Sequence, residues 1–166
     1  MTQPESYLRR FRKYGVDPRT LKWQSRKAAE QRYKEIASLV NFEGKDILDI
    51  GCGFGGMIHF IGSAAKNFSY TGIDLVSEFI SEAKKLHPKH TFIKGDYFVK
   101  PLKKKFDVII ANGCLNSNLK DNLAFRKKAI MTMFAYTKEA VVFNMAGGIP
   151  QPKTAKGSNV WFADGR

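Results

Sequence analysis

In the first forty residues, apolar side chains recur every three or four positions, which is the spacing of a helix with one apolar face. The first predicted helix ends at Tyr14, before a glycine, and the second runs from a capping Ser25 to about Val40. Pro18 lies between them and disfavours helical geometry at the residue before it. We therefore expect residues 1–44 to form a helical cap at the N-terminus.

From Lys45 onward, short apolar runs alternate with helical patterns. Five runs have the length and the β-branched or aromatic content of buried strands, and they cover residues 45–50, 68–74, 90–96, 106–111 and 139–145. Helical patterns occur at 57–66, 77–86 and 122–136. This alternation predicts a doubly wound α/β fold with a Rossmann-like parallel sheet, covered by helices on both faces. Ligands of such sheets bind beyond the carboxyl ends of the strands, so functional residues are expected there.

The chain has 166 residues, the size of one ordinary domain, so we expect a single domain over residues 1–166. Residues 45–145 would form its cofactor-binding α/β core, and residues 146–166 a C-terminal extension. Hydrophobic residues make up 43% and charged residues 26%, which is a globular composition. No apolar run approaches the roughly 18 residues that span a bilayer, and the polar start lacks the apolar core of a signal peptide. A soluble, cytoplasmic protein is expected.

Two features of composition bear on ligands. Cys52 and Cys114 stand without a CxxC pair or a histidine cluster, so neither a disulfide framework nor a metal site is expected. The formal net charge of +13 attracts anions and can steer nucleic acid or an anionic substrate toward the molecule. Because the basic residues are scattered over 7–15, 100–106 and 125–128, a solvated basic surface explains them equally well.

The segment DILDIGCGFGG, residues 46–56, follows the first predicted strand and indicates a ligand-binding turn. Gly51, Gly53 and Gly56 satisfy the GxGxxG pattern of dinucleotide-binding proteins, which by itself is a weak signal. Asp49 favours a different ligand, because a carboxylate close to the helix N-terminus would repel a pyrophosphate. S-adenosylmethionine carries an ammonium group and a sulfonium but no phosphate, so the same carboxylate would attract it.

Acidic residues also end the second and third predicted strands. Asp74 comes 23 residues after Gly51, close to the about 20 expected for an acid that accepts hydrogen bonds from ribose hydroxyls. Both NAD and S-adenosylmethionine carry such a ribose, so Asp74 supports a nucleoside without choosing between them. Asp96 can accept from an adenine amino group, while Tyr97 or Phe98 can offer ring surface. A turn-forming Gly–Asp pair is the alternative interpretation of Asp96.

Four motifs in series, ILDIGCGFGG, TGIDL, KGDYF and FDVIIANG, resemble the successive motifs of class I S-adenosylmethionine-dependent methyltransferases. From residue 14 to residue 145 the chain also resembles a group of bacterial methyltransferases of mostly unassigned substrate. The resemblance implies a sheet of order 3-2-1-4-5 that is followed by an antiparallel hairpin. It places the cofactor, S-adenosyl-L-methionine, across the first two strand ends.

The same resemblance implies which residues would bind that cofactor. The methionine portion would lie near Asp49, Gly51 and Asn112, the loop would be shaped by Gly53 and Gly55, and the adenosine would meet Asp74, Leu75, Asp96 and Tyr97. Trp23 would belong to a lid over the cofactor. A core tryptophan that seats the N-terminal helices is an equally open interpretation of Trp23.

Methyl transfer from a sulfonium needs donor and acceptor held in line about 3–3.5 Å apart, so no catalytic triad is required. His59, His87 and His90 are the candidates for a general base, with packed or solvent-facing roles as the alternative. Cys114 lies where cytosine-modifying methyltransferases keep a nucleophilic cysteine, but Gly113 replaces the proline that precedes it there. A small loop residue is the alternative, and the catalytic residue stays unassigned.

After the fifth predicted strand, residues 146–166 are too few for the helix and the antiparallel hairpin of this family, so we expect the hairpin to be missing. The fifth strand would then be an open edge, explained by a shortened chain, a homodimer or a companion chain. The leading function is a methyltransferase with a small-molecule acceptor. The alternatives are an RNA methyltransferase, a cofactor-binding module without turnover that serves as partner or regulator, and a nicotinamide-dependent oxidoreductase.

Overall fold

The structure is a computed structural model in which residues 3–148 and 157–164 are described. Its elements, in chain order, are α1 (Gln3–Tyr14), α2 (Arg26–Leu39), β1 (Lys45–Ile50), α3 (Met57–Ala64), β2 (Phe68–Asp74), α4 (Ser77–Leu86), β3 (Thr91–Lys94), β4 (Phe106–Asn112), α5 (Asn122–Tyr136), β5 (Thr137–Asn144), β6 (Gly147–Gly148) and β7 (Ala163–Asp164). Within these ranges, none of the helices combines the length and the apolarity needed to cross a bilayer.

The five strands β1 to β5 form one parallel sheet in the order β3-β2-β1-β4-β5. The central strand β1 lies between β2 and β4, so that Asp49 is opposite Gly72 on one side and Ile110 on the other. This arrangement confirms the predicted doubly wound α/β fold and its strand order. In the described residues β5 pairs with β4 alone, and no antiparallel hairpin continues the sheet.

Both faces of the sheet are buried, which explains why the strands read as nearly continuous apolar runs. Alternate residues of β4 point to opposite faces. Val108 and Ile110 pack into the core below α2, α3 and α4, whereas Ile109 and Ala111 pack into the core below α5. All four side chains are fully buried. The sheet is therefore a rigid platform on which the ends of its strands hold fixed positions.

The N-terminal helix α1 packs over the carboxyl end of the sheet through aromatic contacts. Tyr7, Leu8 and Phe11 lie against a small core made of Phe54, Val76 and Phe79. The apolar periodicity predicts this helix only from Tyr7, four residues after its observed start at Gln3, because the first turn is polar and carries no such periodicity. For α2 the predicted cap is confirmed, since the Ser25 hydroxyl accepts a hydrogen bond from the backbone N–H of Ala28 at 3.1 Å.

Part of the C-terminal extension packs beside the loop that follows β4. Strand β7 pairs in parallel with β6, and the N–H of Trp161 donates to the carbonyl of Asn116 at 2.9 Å. The Trp161 ring lies 4.1 Å from the guanidinium carbon of Arg126, which is only 3% exposed. The hydrophobic pattern did not predict these contacts, because they depend on a buried cation and on backbone hydrogen bonds. The division of the chain into cap, core and extension stays a prediction.

Candidate functional site

A cavity of about 310 Å³ opens where β1, β2 and β4 end. Eight of the ten residues predicted to bind a cofactor line it, namely Trp23, Asp49, Gly51, Asp74, Leu75, Asp96, Tyr97 and Asn112. Gly53 and Gly55 are outside the lining: Gly53 faces the Leu21 side chain, and Gly55 faces His87. We call Asp49, Gly51, Asp74 and Asn112 the floor of the cavity, because they lie at the strand ends.

The turn after β1 requires glycine for two reasons at Gly51. Its φ angle is +72°, in the left-handed region that other residues rarely adopt. A Cβ atom at this position would lie 2.7 Å from Cβ of Cys114, so any side chain would collide with the loop after β4. The Gly51 N–H donates to the carbonyl of Ile73 at 2.8 Å, which ties the turn to β2. The glycine thus lets the ends of three strands converge on one cavity.

Asp49 is a buried carboxylate on the floor, only 3% exposed. Its Oδ2 accepts a hydrogen bond from the Tyr70 hydroxyl at 2.6 Å. The pKa of Asp49 is raised to about 7: burial is the main cause, the Tyr70 hydrogen bond opposes the shift, and the nearby Asp74 carboxylate adds to it. Near neutral pH this group is therefore poised to lose its proton when a cation arrives.

Asp74 holds the glycine loop in place with both carboxylate oxygens. Oδ2 accepts from the N–H of Gly53 at 2.9 Å, and Oδ1 accepts from the N–H of Val76 at 3.0 Å. Burial raises its pKa, and these backbone hydrogen bonds oppose that shift. Since each carboxylate oxygen accepts more than one hydrogen bond, Asp74 can still accept from a ligand in the cavity.

The wall beyond β2 and β3 is more apolar. Leu75 is 40% exposed and lies beside the cavity, so it offers an uncovered apolar surface. The Oδ1 atom of Asp96 accepts from the N–H groups of Phe98 and Val99, at 3.0 and 3.2 Å. Asp96 therefore forms a turn and also lines the cavity, and its contact with an adenine amino group stays a prediction. Tyr97 is 1% exposed, and its ring packs against Phe98 rather than standing free.

Asn112 ends β4 and is paired with a residue that sequence reasoning missed. The Nδ2 of Asn144 donates to Oδ1 of Asn112 at 2.6 Å, and Oδ1 of Asn144 accepts from the N–H of Gly113 at 2.8 Å. The Nδ2 of Asn112 is buried and has no hydrogen-bond partner among the described residues. Asn144 stands opposite Asn112 on β5, so the missing signal was the register between the two strands.

The N-terminal segment supplies a roof, which we define as Gln3, Tyr7 and Trp23. Gln3 donates a side-chain hydrogen bond to the hydroxyl of Ser117, in the loop after β4. The Tyr7 ring packs edge-on against Phe79, and burial raises the pKa of Tyr7 to about 12, so it stays protonated. Trp23 lies partly exposed beside the cavity, and its ring packs edge-on against Tyr33 of α2, so its role in a lid stays a prediction.

The residues that the sequence offered as a nucleophile or a general base do not come together in the cavity. None of His59, His87 and His90 lines the cavity. Cys114 does line it, but burial and the carboxylates of Asp49 and Asp74 raise the pKa of its thiol well above the usual range. A thiol that keeps its proton is a poor nucleophile. The geometry agrees with Cys114 as a small packing residue.

Fold and site together define a class of protein: a doubly wound α/β domain with a ligand cavity at its strand ends and acidic residues on two of them. Residues 47–138, more than half of the chain, match a family described as a methyltransferase domain. The chain belongs to this family.

Curated relatives share the central part of the chain. A phthiotriol/phenolphthiotriol dimycocerosates methyltransferase of Mycobacterium leprae is 38% identical over 81 residues, which are 47% of this chain and 30% of the relative. A fatty-acid O-methyltransferase of Mycolicibacterium smegmatis is 32% identical over 83 residues, which are 48% of this chain and 30% of the relative. The matches thus cover less than a third of either relative.

Solved structures show the same fold over more of the chain. The N-methyltransferase NodS from Bradyrhizobium japonicum, in complex with S-adenosyl-L-homocysteine, superposes with a TM-score of 0.65 at 21% identity, over 84% of this chain and 70% of NodS. A complex of DhpI with S-adenosylhomocysteine superposes with a TM-score of 0.62 at 20% identity, over 85% of this chain and 66% of DhpI. At these identities the likeness establishes the fold.

Proposed function

We propose that this chain binds S-adenosyl-L-methionine in the cavity and transfers its methyl group to a small-molecule acceptor. The observation that carries the proposal is the pairing of opposite polarities on the floor. The carboxylate of Asp49 suits an ammonium group, and the unpartnered amide donor of Asn112 suits a carboxylate. The amino-acid end of S-adenosylmethionine carries both groups, whereas a dinucleotide carries phosphates that Asp49 would repel.

The remaining wall fits the adenosine of this cofactor. Asp74 has lone pairs left for ribose hydroxyls, and Leu75 offers an apolar surface for a flat ring. The cavity volume lies at the lower end of the range of about 300–1,000 Å³ that is typical of ligand pockets, so one such molecule would largely fill it. Family membership and the bound S-adenosylhomocysteine of NodS and DhpI support the same ligand.

The proposed chemistry requires the protein to hold the cofactor in position and to exclude water. It does not require the protein to transfer protons. S-adenosylmethionine, when bound, supplies a methyl group already activated on its sulfonium. Asp49 and Asn112 would hold its amino-acid end, and Asp74 its ribose, which fixes the direction in which an acceptor must approach. Tyr7 and Trp23 would cover the cavity and keep it poor in water.

For the acceptor, we propose a small molecule with an acidic group. Residues 1–34, which supply the roof, contain ten Lys or Arg and three Asp or Glu residues. Next to the cavity, the ammonium of Lys22 lies 4.3 Å from the centre of the Tyr7 ring, and the guanidinium carbon of Arg32 lies 5.5 Å from that of Trp23. The relatives named for fatty-acid and phthiotriol substrates support a small acceptor.

The basic N-terminal segment, residues 1–34, makes RNA the second candidate acceptor, because Lys and Arg side chains bind phosphates. A gel-shift series with a single-stranded RNA of twelve nucleotides separates the two. Retarded complexes whose affinity falls steeply with salt would favour RNA. Absent or salt-insensitive binding would favour the small acidic acceptor.

Thermal denaturation with S-adenosylmethionine, S-adenosylhomocysteine and NAD tests cofactor binding, since a ligand of the folded state raises the midpoint. We expect a rise with the first two ligands and none with NAD. Release of S-adenosylhomocysteine in the presence of candidate acceptors then separates an enzyme from a binding module without turnover. A rise with NAD alone would overturn the proposal.

A further inference from the structure

We propose that Asn144 is a positioning residue that sets the hydrogen-bond polarity of Asn112, so that Asn112 presents donors to the carboxylate of the ligand's amino-acid group. The inference rests on the proposed function and names a residue that the family motifs do not include. Its basis is a partly buried series of two hydrogen bonds that joins the ends of β4 and β5.

An asparagine amide has an oxygen that accepts and a nitrogen that donates, and rotation by half a turn exchanges them. In this series of hydrogen bonds, the Gly113 end prevents the amide oxygen and nitrogen of Asn144 from exchanging places. Oδ1 of Asn144 accepts from the Gly113 N–H at 2.8 Å, and a backbone N–H can only donate. Asn144 must therefore direct its Nδ2 toward Asn112, where it donates to Oδ1 at 2.6 Å.

The orientation of the Asn144 amide determines that of the Asn112 amide. Oδ1 of Asn112 accepts the hydrogen bond from Asn144, so Nδ2 of Asn112 is left as the group that can donate to a ligand. Burying a donor without a partner is unfavourable, so the persistence of this donor in a residue that lines a cavity indicates a partner that arrives with the ligand. Asn112 lines the cavity together with Asp49, which stands on the neighbouring strand β1.

A donor beside a carboxylate recognises a zwitterion. Asp49 attracts the ammonium, and the amide of Asn112 donates to the carboxylate of the same amino-acid group. If the Asn112 amide were reversed, two acceptors would face this group, and the ligand's carboxylate would meet repulsion instead of a hydrogen bond. The backbone N–H of Gly113 thus fixes, through two side chains, which end of the amide a ligand meets.

We call this orientation of Asn112 by Asn144 the relay. The variant Asn144→Asp tests it by comparing the binding of S-adenosylhomocysteine with that of methylthioadenosine, which lacks the amino-acid group. An aspartate still accepts from Gly113 but cannot donate to Asn112, so the Asn112 amide should reverse. We expect calorimetric titration to show S-adenosylhomocysteine binding roughly 10–100-fold more weakly, with methylthioadenosine binding changed less than about threefold. Equal weakening of both ligands, or no weakening of either, would overturn the relay.

The variant Asn144→Ala removes the orienting group without adding charge, and a double-mutant cycle shows whether it acts through Asn112. We expect Asn144→Ala to weaken S-adenosylhomocysteine selectively but by less than Asn144→Asp. The double variant Asn112→Ala, Asn144→Ala should bind this ligand no more weakly than Asn112→Ala alone. Additive losses would show that Asn144 acts independently. If the wild-type chain binds neither ligand, the proposed function itself fails, which is a different result from loss of the relay.

Discussion

The floor and the roof of the cavity are built in different ways. On the floor, Asp49, Asp74 and Asn112 stand at the ends of neighbouring parallel strands and are held by buried or partly buried hydrogen bonds. The roof is held by aromatic contacts and by the hydrogen bond from Gln3 to Ser117, and residues 1–34, which supply it, are rich in Lys and Arg. We infer that the floor determines which cofactor binds, whereas the roof determines access and the choice of acceptor.

The largest effect is expected on the floor at Asp74. The change Asp74→Ala removes the proposed ribose acceptor and also releases the N–H groups of Gly53 and Val76 that shape the loop. Losing several hydrogen bonds to a charged group should weaken S-adenosylhomocysteine by about 100-fold or more. Calorimetric titration measures this. As a control, Asp121→Ala removes an acid that caps α5 and lies outside the cavity, and it should leave the affinity unchanged.

Asp49 should make cofactor binding depend on pH. Its pKa in the free protein is about 7, and only the ionised form attracts an ammonium group. As the pH falls from 8 to 6 the carboxylate becomes protonated, so the affinity for S-adenosylhomocysteine should drop by about tenfold. The variant Asp49→Asn should bind weakly with a flat profile over this range. A wild-type profile that is equally flat would contradict the role of Asp49.

The same carboxyl group should make the stability of the free protein fall as the pH rises, whereas the affinity for the ligand rises. The pKa of Asp49 is about 7 in the folded protein, above the about 3.9 of an unfolded chain, so the folded state loses stability as the pH rises from about 4 through 7. At pH 8, Asp49→Asn should therefore melt roughly 5 °C higher than the wild type without ligand, and the gap should close near pH 4. Thermal denaturation at the two pH values measures the gap. A lower melting temperature at pH 8 would contradict the buried charge.

The roof should give a smaller effect. Tyr7→Ala removes a ring that lines the cavity and packs on Phe79, so we expect S-adenosylhomocysteine to dissociate roughly 3–10-fold faster. Stopped-flow displacement measures this rate. Tyr14→Ala is the matched control, because Tyr14 lies on the same helix but does not line the cavity. Equal rates in the two variants would show that the roof does not retain the ligand.

The smallest effect on binding is expected at Arg126, although stability should fall. Its guanidinium donates to the carbonyls of Asn122 and Ser117 at 2.9 and 2.6 Å and stacks on Trp161. Arg126→Met leaves these carbonyls without that donor and should cost about 1–3 kcal/mol of the free energy of unfolding. Chemical denaturation measures the loss, and the affinity for S-adenosylhomocysteine should change by less than about threefold. A larger change in affinity would place Arg126 in the site.

The difference between floor and roof also explains which parts of the site could be predicted from the sequence. Apolar runs and their order predicted the sheet, and Asp74 was predicted as a site residue because it ends a run at the edge where parallel strands end. Asp49 was predicted from its place before the glycine loop, and Asn112 from the resemblance to class I methyltransferases. Tyr7, Gln3 and Asn144 were missed. Gln3 and Tyr7 reach the cavity through the packing of α1, and Asn144 contacts Asn112 through the register of β5. These are contacts between distant parts of the chain, which periodicity does not encode.

A crystal structure of the chain with S-adenosylhomocysteine tests the central claim most directly. The account predicts the ligand's ammonium about 2.6–3.2 Å from a carboxylate oxygen of Asp49, and its carboxylate at the same distance from Nδ2 of Asn112. The ribose hydroxyls should lie against Asp74. A ligand bound with its adenine at Asp49, or a dinucleotide occupying the cavity with its phosphates at the glycine loop, would contradict it.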